Sequence, residues 1–381
     1  MPRASRALAA GCAVTAVAAL AACGVGDGAG GPAAAASVAS SLPPSGPAAS
    51  GTPGRASSGP APTAGTAGSD GTLTLAFAGD VHFAAQVAHV LDDPGTGLAD
   101  LRPYLAQQDV AMVNLETAVT TRGREMPKKF HFRAPPTAFD ALDAAGVDVV
   151  TLANNHAVDY GEVGLQDTLA ARADAPIPAV GLGRDAADAY GPAVLDVRGT
   201  KVAVLGATQV PDWTLATWPA GPSRPGVASA ASPERLAAAV RAVRRKADVV
   251  VVYLHWGTDY TTCPNPLQKR TAAALAAAGA DVVVGAHAHR VQGAGWLGRT
   301  YVAYGLGNFV WWRRNSAADA ATGVLTLGVR GRRVVSARWV PLVVSPDGVP
   351  REPDAATSRR MLASWRDARG CTGLAARPAA G

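Results

Sequence analysis

The chain has 381 residues, with 35 Lys and Arg against 29 Asp and Glu and a formal net charge of +6. That length supports one large domain or two closely joined ones with a sizeable core. Basic residues gather at Lys128, Lys129 and Arg133 and again at Arg330, Arg332, Arg333 and Arg338. They lack the aromatic interleaving of a nucleic-acid module, so no nucleic-acid partner is expected; they read as solvated faces or as help with an anionic substrate.

At the amino terminus, Arg3 and Arg6 precede an uncharged apolar stretch, Ala7 to Ala22, that ends in Leu20-Ala21-Ala22-Cys23. This resembles a bacterial lipoprotein signal over residues 1–22. The resemblance implies cleavage before Cys23, lipidation of its thiol, and an extracytoplasmic protein lipid-anchored to the cell membrane. An ordinary cleaved signal and an uncleaved anchor are the alternatives, and the stretch falls short of the roughly 20 residues that span a bilayer. Residues 23–70 carry no aromatic side chain and almost no charge among Ala, Gly, Pro, Ser and Thr. Such a composition cannot bury a core and predicts a disordered linker. A folded domain over 71–345 and a C-terminal helix and tail over 346–381 complete the expected organisation.

Within the domain, strand patterns fall near 73–79, 109–113, 148–152, 178–181, 202–206, 248–254 and 281–285. Helical patterns alternate with them near 98–107, 136–145, 162–173, 233–246 and 266–278, the fourth opened by a cap and an N1 proline at Ser232-Pro233-Glu234. Strand followed by helix, repeated, predicts an α/β fold with a mixed sheet covered on both faces. After Gly285, runs near 291–297, 300–305, 323–330 and 333–342 read as antiparallel, like the second half of a two-sheet sandwich, ahead of a helix near 355–367.

Five of the seven histidines sit in short polar motifs that close β-branched apolar runs: His82, His156, His255, His287 and His289. Strand ends in an open α/β sheet line one edge, so side chains far apart in sequence converge there. Imidazole, carboxylate and amide oxygen together suit zinc, manganese or iron. His287 and His289, two positions apart, would point the same way from an extended segment. Each motif alone has an ordinary reading. Asp80 and His82 could end a strand in a turn, Asn154-Asn155-His156 could cap a helix, Glu116 could be a solvated carboxylate, and His255 could stack on Trp256. Their joint occurrence is what points to a metal site. His89 and His131 lie outside the pattern and read as structural. With Cys12 in the signal and Cys23 lipidated, Cys263 and Cys371 are left; export permits their pairing, but two positions do not establish it.

In order, AGDVHF (78–83), VNLETAVT (113–120), KKFHFRAPP (128–136), TLANNHAVDYG (151–161), VYLHWGTDY (252–260), VGAHAHRVQG (284–293) and YVAYGLGNFVW (301–311) resemble the motifs of the CapA family of poly-γ-glutamate capsule biosynthesis proteins. That family is similar to calcineurin-like metallophosphoesterases. The resemblance implies a double β-sandwich flanked by helices, in four αββα layers, with two divalent metal ions, Mn, Fe or Zn. Asp80, His82 and His289 match one metal's ligands, and His255, His287 and Asn155 the other's. Glu116 stands where those phosphoesterases place a bridging aspartate after glycine; here Leu115 precedes it, which puts bridging in doubt. His156 matches a phosphate-contacting general acid that Asp159 would orient, and Arg133 and Arg290 are candidate substrate anion contacts.

The implied chemistry is metal-assisted hydrolysis of a phosphoester or of an anionic envelope polymer. The implied partners are the membrane, through the lipid anchor, and capsule-synthesis membrane proteins. A non-catalytic accessory role in polymer assembly, or polyanion binding through the basic face, remains the alternative.

Overall fold

The computed structural model describes residues 71–379; the expected signal, the lipidated Cys23 and the linker lie outside the described residues. In chain order the elements that build the core are β1 (Leu73–Val81), β2 (Val110–Leu115), α1 (Thr137–Ala144), β3 (Val149–Thr151), α2 (Gly161–Asp174) and β4 (Ala179–Val180). They continue with β5 (Ala193–Val197), β6 (Thr200–Thr208), α3 (Pro233–Arg244), β7 (Val249–Trp256), α4 (Pro266–Ala278) and β8 (Val282–His287). The last are β9 (Ala294–Leu297), β10 (Thr300–Ala303), β11 (Asn308–Val310), β12 (Ala321–Arg330), β13 (Arg333–Val344), β14 (Pro350–Arg351) and α5 (Ala355–Ala368).

One sheet runs β14-β13-β12-β1-β2-β3-β4, with β11 also paired to β1, and the other runs β9-β10-β8-β7-β6-β5. Period-2 alternation sorts their side chains. On β7, Val249, Val251 and Tyr253 face Phe77, Met112 and Leu325 of the other sheet in one buried cluster. Val250, Val252 and Leu254, between them, pack with Leu236 and Val240 of α3 and Leu275 of α4. On the outer face of the first sheet, Ala111, Val113 and Val150 meet Phe139 and Leu142 of α1 and Leu165 and Leu169 of α2. The result is the four-layer αββα double sandwich.

Two expectations change. The division between sheets does not fall near Gly285: the second sheet begins at β5, whereas β12 returns to pair antiparallel with β1, and β13 pairs antiparallel with β12. β10 is antiparallel to β9 but parallel to β8, since the chain crosses back to the strand direction set by β6, β7 and β8. Hydrophobic period marks these runs as strands without stating their partners.

A close approach explains the glycine of AGDVHF. A Cβ on Gly79 would stand 1.8 Å from the Gly307 carbonyl oxygen, and the Asp80 amide donates to that same oxygen at 3.0 Å. Only glycine lets the 306–308 segment lie against β1. Cys263 and Cys371 form a disulfide that ties the loop after β7 to the chain after α5. Among the described residues no helix is long and apolar enough to cross a membrane.

Candidate metal centre

Parallel strands from both sheets end on one edge. Asp80 closes β1, Glu116 follows β2, Asn154 to His156 follow β3, His255 lies near the end of β7, and His287 ends β8 with His289 just beyond. Two contacts lock the sheets together there: the Tyr253 hydroxyl donates to the Ala78 carbonyl at 2.7 Å, and the His287 amide donates to Asp80 Oδ2 at 3.0 Å.

Three sets of side chains bring ligand atoms within 4.8 Å of one another: Glu116 with His255 and His287, Asp80 with Glu116 and His289, and Asp259 with His287 and His289. Glu116 is common to two of them. Its Oε1 lies 3.4 Å from His255 Nε2 and 3.7 Å from His156 Nε2. Asn155 Oδ1 lies 2.7 Å from His255 Nε2, and His289 Nδ1 lies 3.8 Å from Asp80 Oδ2.

The histidine pair does not work as an extended segment. His287 and His289 have φ of 90° and 49°. Left-handed backbone at a non-glycine residue costs on the order of 1–3 kcal/mol and is held by its surroundings. The kinked turn, with the Asp80 contact at its start, is what directs both rings to the cluster. Their ring centroids stand 5.8 Å apart.

Asp80, Glu116 and His255 are wholly buried. Burial pushes the Asp80 carboxyl up to about 6, and burial together with the Asp80 charge pushes Glu116 well above the usual carboxylate range. Burial likewise holds His255 and His287 well below an ordinary imidazole and lowers His156. Both Glu116 oxygens and His287 Nδ1 are buried without a hydrogen-bond partner. A desolvated carboxylate without a donor is unfavourable by several kcal/mol. A divalent cation among neutral imidazoles and carboxylates removes that deficit, so the residues fit a divalent metal ion.

Asn114 and Asn154 support the cluster from below. Asn114 Nδ2 donates to Asp80 Oδ1 at 2.7 Å, and Asn154 Nδ2 donates to Asn114 Oδ1 at 3.1 Å. On the opposite wall, His156 Nδ1 sits 2.6 Å from Asp159 Oδ2, which also accepts from the Phe132 amide at 2.7 Å. Lys128 Nζ lies 2.8 Å from Asp159 Oδ1. Its side chain is only 13% exposed, so this lysine belongs to the site and not to a solvated basic face. The sequence holds it within the KKFHFRAPP motif, but charge spacing alone cannot distinguish it from Lys129.

His82 is not part of the three sets. Its ring stacks on Phe132 at 4.2 Å and meets Trp311 edge-on at 4.3 Å, while Nδ1 accepts the Ala84 amide at 3.0 Å. Asp259 takes part instead, its Oδ1 lying 3.2 Å from His287 Nε2. It is a half-exposed loop residue two positions after Gly257, with no strand-end signal to mark it. The candidate anion contacts are already engaged. Arg133 lies over the Tyr160 ring at 3.3 Å and donates to the Thr121 carbonyl. Arg290 pairs with Asp319 and donates to the His289 carbonyl at 2.8 Å.

Two facing sheets clad in helices, with imidazoles and carboxylates gathered at one strand edge, define an α/β double-sandwich protein with a candidate metal centre. The chain belongs to the family of bacterial capsule synthesis proteins: the family model "Bacterial capsule synthesis protein PGA_cap" matches residues 74–311. It is 31% identical over 316 residues to the capsule biosynthesis protein CapA of Bacillus anthracis, covering 77% of this chain and 76% of that one. It is 32% identical over 259 residues to the PGA biosynthesis protein CapA of Bacillus subtilis, covering 66% and 67%. Among solved structures, the sulfate thiohydrolase SoxB of Thermus thermophilus aligns with a TM-score of 0.43 at 15% identity, covering 78% of this chain and 61% of that one.

Proposed function

We propose that this protein is a metal-dependent hydrolase of capsule or envelope polymer biosynthesis, acting outside the cytoplasm from a lipid anchor at Cys23 on an anionic γ-linked glutamate polymer. The names of its relatives support the pathway, and the Leu20-Ala21-Ala22-Cys23 sequence supports the location. The observation that carries the enzymatic reading is the Glu116 carboxylate, fully buried and without a hydrogen-bond donor between Asp80, His255 and His156.

Asp80, Glu116, Asn155, His255, His287 and His289 would hold two divalent cations, with Asp259 reaching His287 from the rim. When bound, such ions polarise the scissile group, lower the pKa of water and stabilise the charge of the transition state. His156 supplies the proton. A hydrogen on Nδ1 is donated to Asp159 Oδ2, which turns Nε2 toward the cluster, where it faces Glu116 Oε1. Protonated at Nε2, the ring delivers that proton to the leaving group, and Asp159 stabilises the imidazolium in between. Lys128 holds Asp159 in place. The lowered proton affinity that burial imposes on His156 favours release of the proton.

The test is metal analysis of the purified full chain with turnover assays on phosphoesters and on γ-linked glutamate polymer, with and without Mn²⁺. Bound metal and metal-dependent turnover are expected. No bound metal and no turnover, alongside loss of polymer when the gene is deleted, would leave an accessory role in its place.

A further inference from the structure

The cavity that opens onto His156 and His289 has a second end, formed by Phe130, Trp312 and Arg313. The Arg313 guanidinium lies 4.5 Å from the Phe130 ring centroid and 4.4 Å from that of Trp312. Two rings thus clamp one cation at the mouth. Such contacts act through the ring faces, so they leave the N–H donors free.

Arg313 has no hydrogen bond or ion pair among the described residues. The other cations around the cavity differ. Arg290 is neutralised by Asp319, and Lys128 by Asp159 and Asp212. Asp319, the acid that lines the same cavity, has its carboxylate already taken by Arg290. Lys129 adds a further positive charge, its ammonium 5.1 Å from the Phe130 centroid. A half-buried guanidinium with free donors and a fixed plane matches the bidentate geometry of a carboxylate.

We propose that Arg313 is a specificity-determining substrate contact that receives a carboxylate of a polycarboxylate chain, while a neighbouring linkage of that chain lies at the His156 end of the cavity. The proposal rests on the hydrolase reading for what happens at that end. A chain with one carboxylate on every repeat unit offers both groups at once: one unit at the cluster and the next on the Phe130, Trp312 and Arg313 clamp. A small phosphomonoester fills one end only. Arg313 lies two residues past the stretch matched by the family model, so it would adjust recognition in this chain without altering the cluster.

The experiment measures binding of a fluorescent γ-linked glutamate hexamer to the full chain in Mn²⁺, for the wild type, Arg313→Met, Arg313→Lys and His287→Ala. Methionine keeps an apolar stem between the rings, and an unchanged Mn²⁺ content reports that the fold and cluster survive. Arg313→Met is expected to weaken the hexamer at least about tenfold, Arg313→Lys to restore part of that loss, and the methyl-esterified hexamer to bind equally to all three. Equal hexamer binding by wild type and Arg313→Met overturns the proposal. So does equal weakening of the esterified probe, no hexamer binding by wild type, or capture of polyphosphate in place of the hexamer. Failure of the hydrolase reading is read separately, as absence of Mn²⁺ from the wild type or of any effect of His287→Ala on Mn²⁺ content.

Discussion

The His287 backbone amide donates to Asp80 Oδ2 at 3.0 Å across 207 positions of sequence, joining the end of β8 in one sheet to the end of β1 in the other. This contact sets the cluster's geometry twice over. It fixes the carboxylate of Asp80, and it holds the start of the left-handed turn that directs His287 and His289 inward.

Glu116→Gln removes a charge and keeps the shape. Metal content should fall by at least half, while the melting temperature of the chelator-stripped protein stays level or rises, because the substitution removes a buried carboxylate that has no donor. Elemental analysis with thermal melts in EDTA checks both halves. A metal-free variant much less stable than the metal-free wild type would show that Glu116 is part of the core.

Metal uptake should strengthen as pH rises through about 6. Burial raises Asp80 from 3.8 to about 6 in the metal-free fold, so below that pH a cation must displace its proton. The sign for stability runs the other way. Between the two values the folded metal-free chain keeps a proton that the unfolded chain has released, so this contribution is present at low pH and lost as pH passes about 6. Calorimetric titration with Mn²⁺ at pH 5.5 and 7.5, beside melts of stripped protein over that range, tests the pair; affinity independent of pH would be inconsistent with Asp80 as a ligand.

His156→Ala should lower kcat by about 10²- to 10⁴-fold with metal content retained. Asp159→Asn should weaken catalysis as well, since the amide cannot reproduce the charge that faces both His156 Nδ1 and Lys128 Nζ. Lys128→Met should follow Asp159→Asn in its pH profile. Steady-state rates alongside elemental analysis separate loss of the acid from loss of the metal.

Cys371→Ser opens a covalent loop with a sequence separation of 108. Loop-closure entropy for that span predicts a loss of about 3–5 kcal/mol, visible as a lower urea midpoint in the variant and in wild type treated with reductant. Metal content should be unchanged, because neither cysteine is among the residues that gather at the cluster. A midpoint insensitive to reductant would mean that α5 and its tail are held by packing alone.

How far the sequence speaks depends on whether the signal is local. The unbroken apolar run from Val249 to Leu254 announces a strand buried on both faces, and the polar motifs that end β1, β2, β3, β7 and β8 announce a shared edge. Both are properties of neighbouring residues. Gly79 belongs to the same class, although its reason, the carbonyl of Gly307, lies far along the chain.

Tertiary structure decided the rest. It returned β12 and β13 to the first sheet, took His82 into an aromatic stack, admitted Asp259 beside His287, and paired Lys128 with Asp159. It engaged Arg133 and Arg290 and left Arg313 free between two rings. Residue type and period state that a side chain is an imidazole or a guanidinium and which face it leaves by. Whether it meets a carboxylate, a ring or open solvent is settled by segments that approach only after the two sheets have packed.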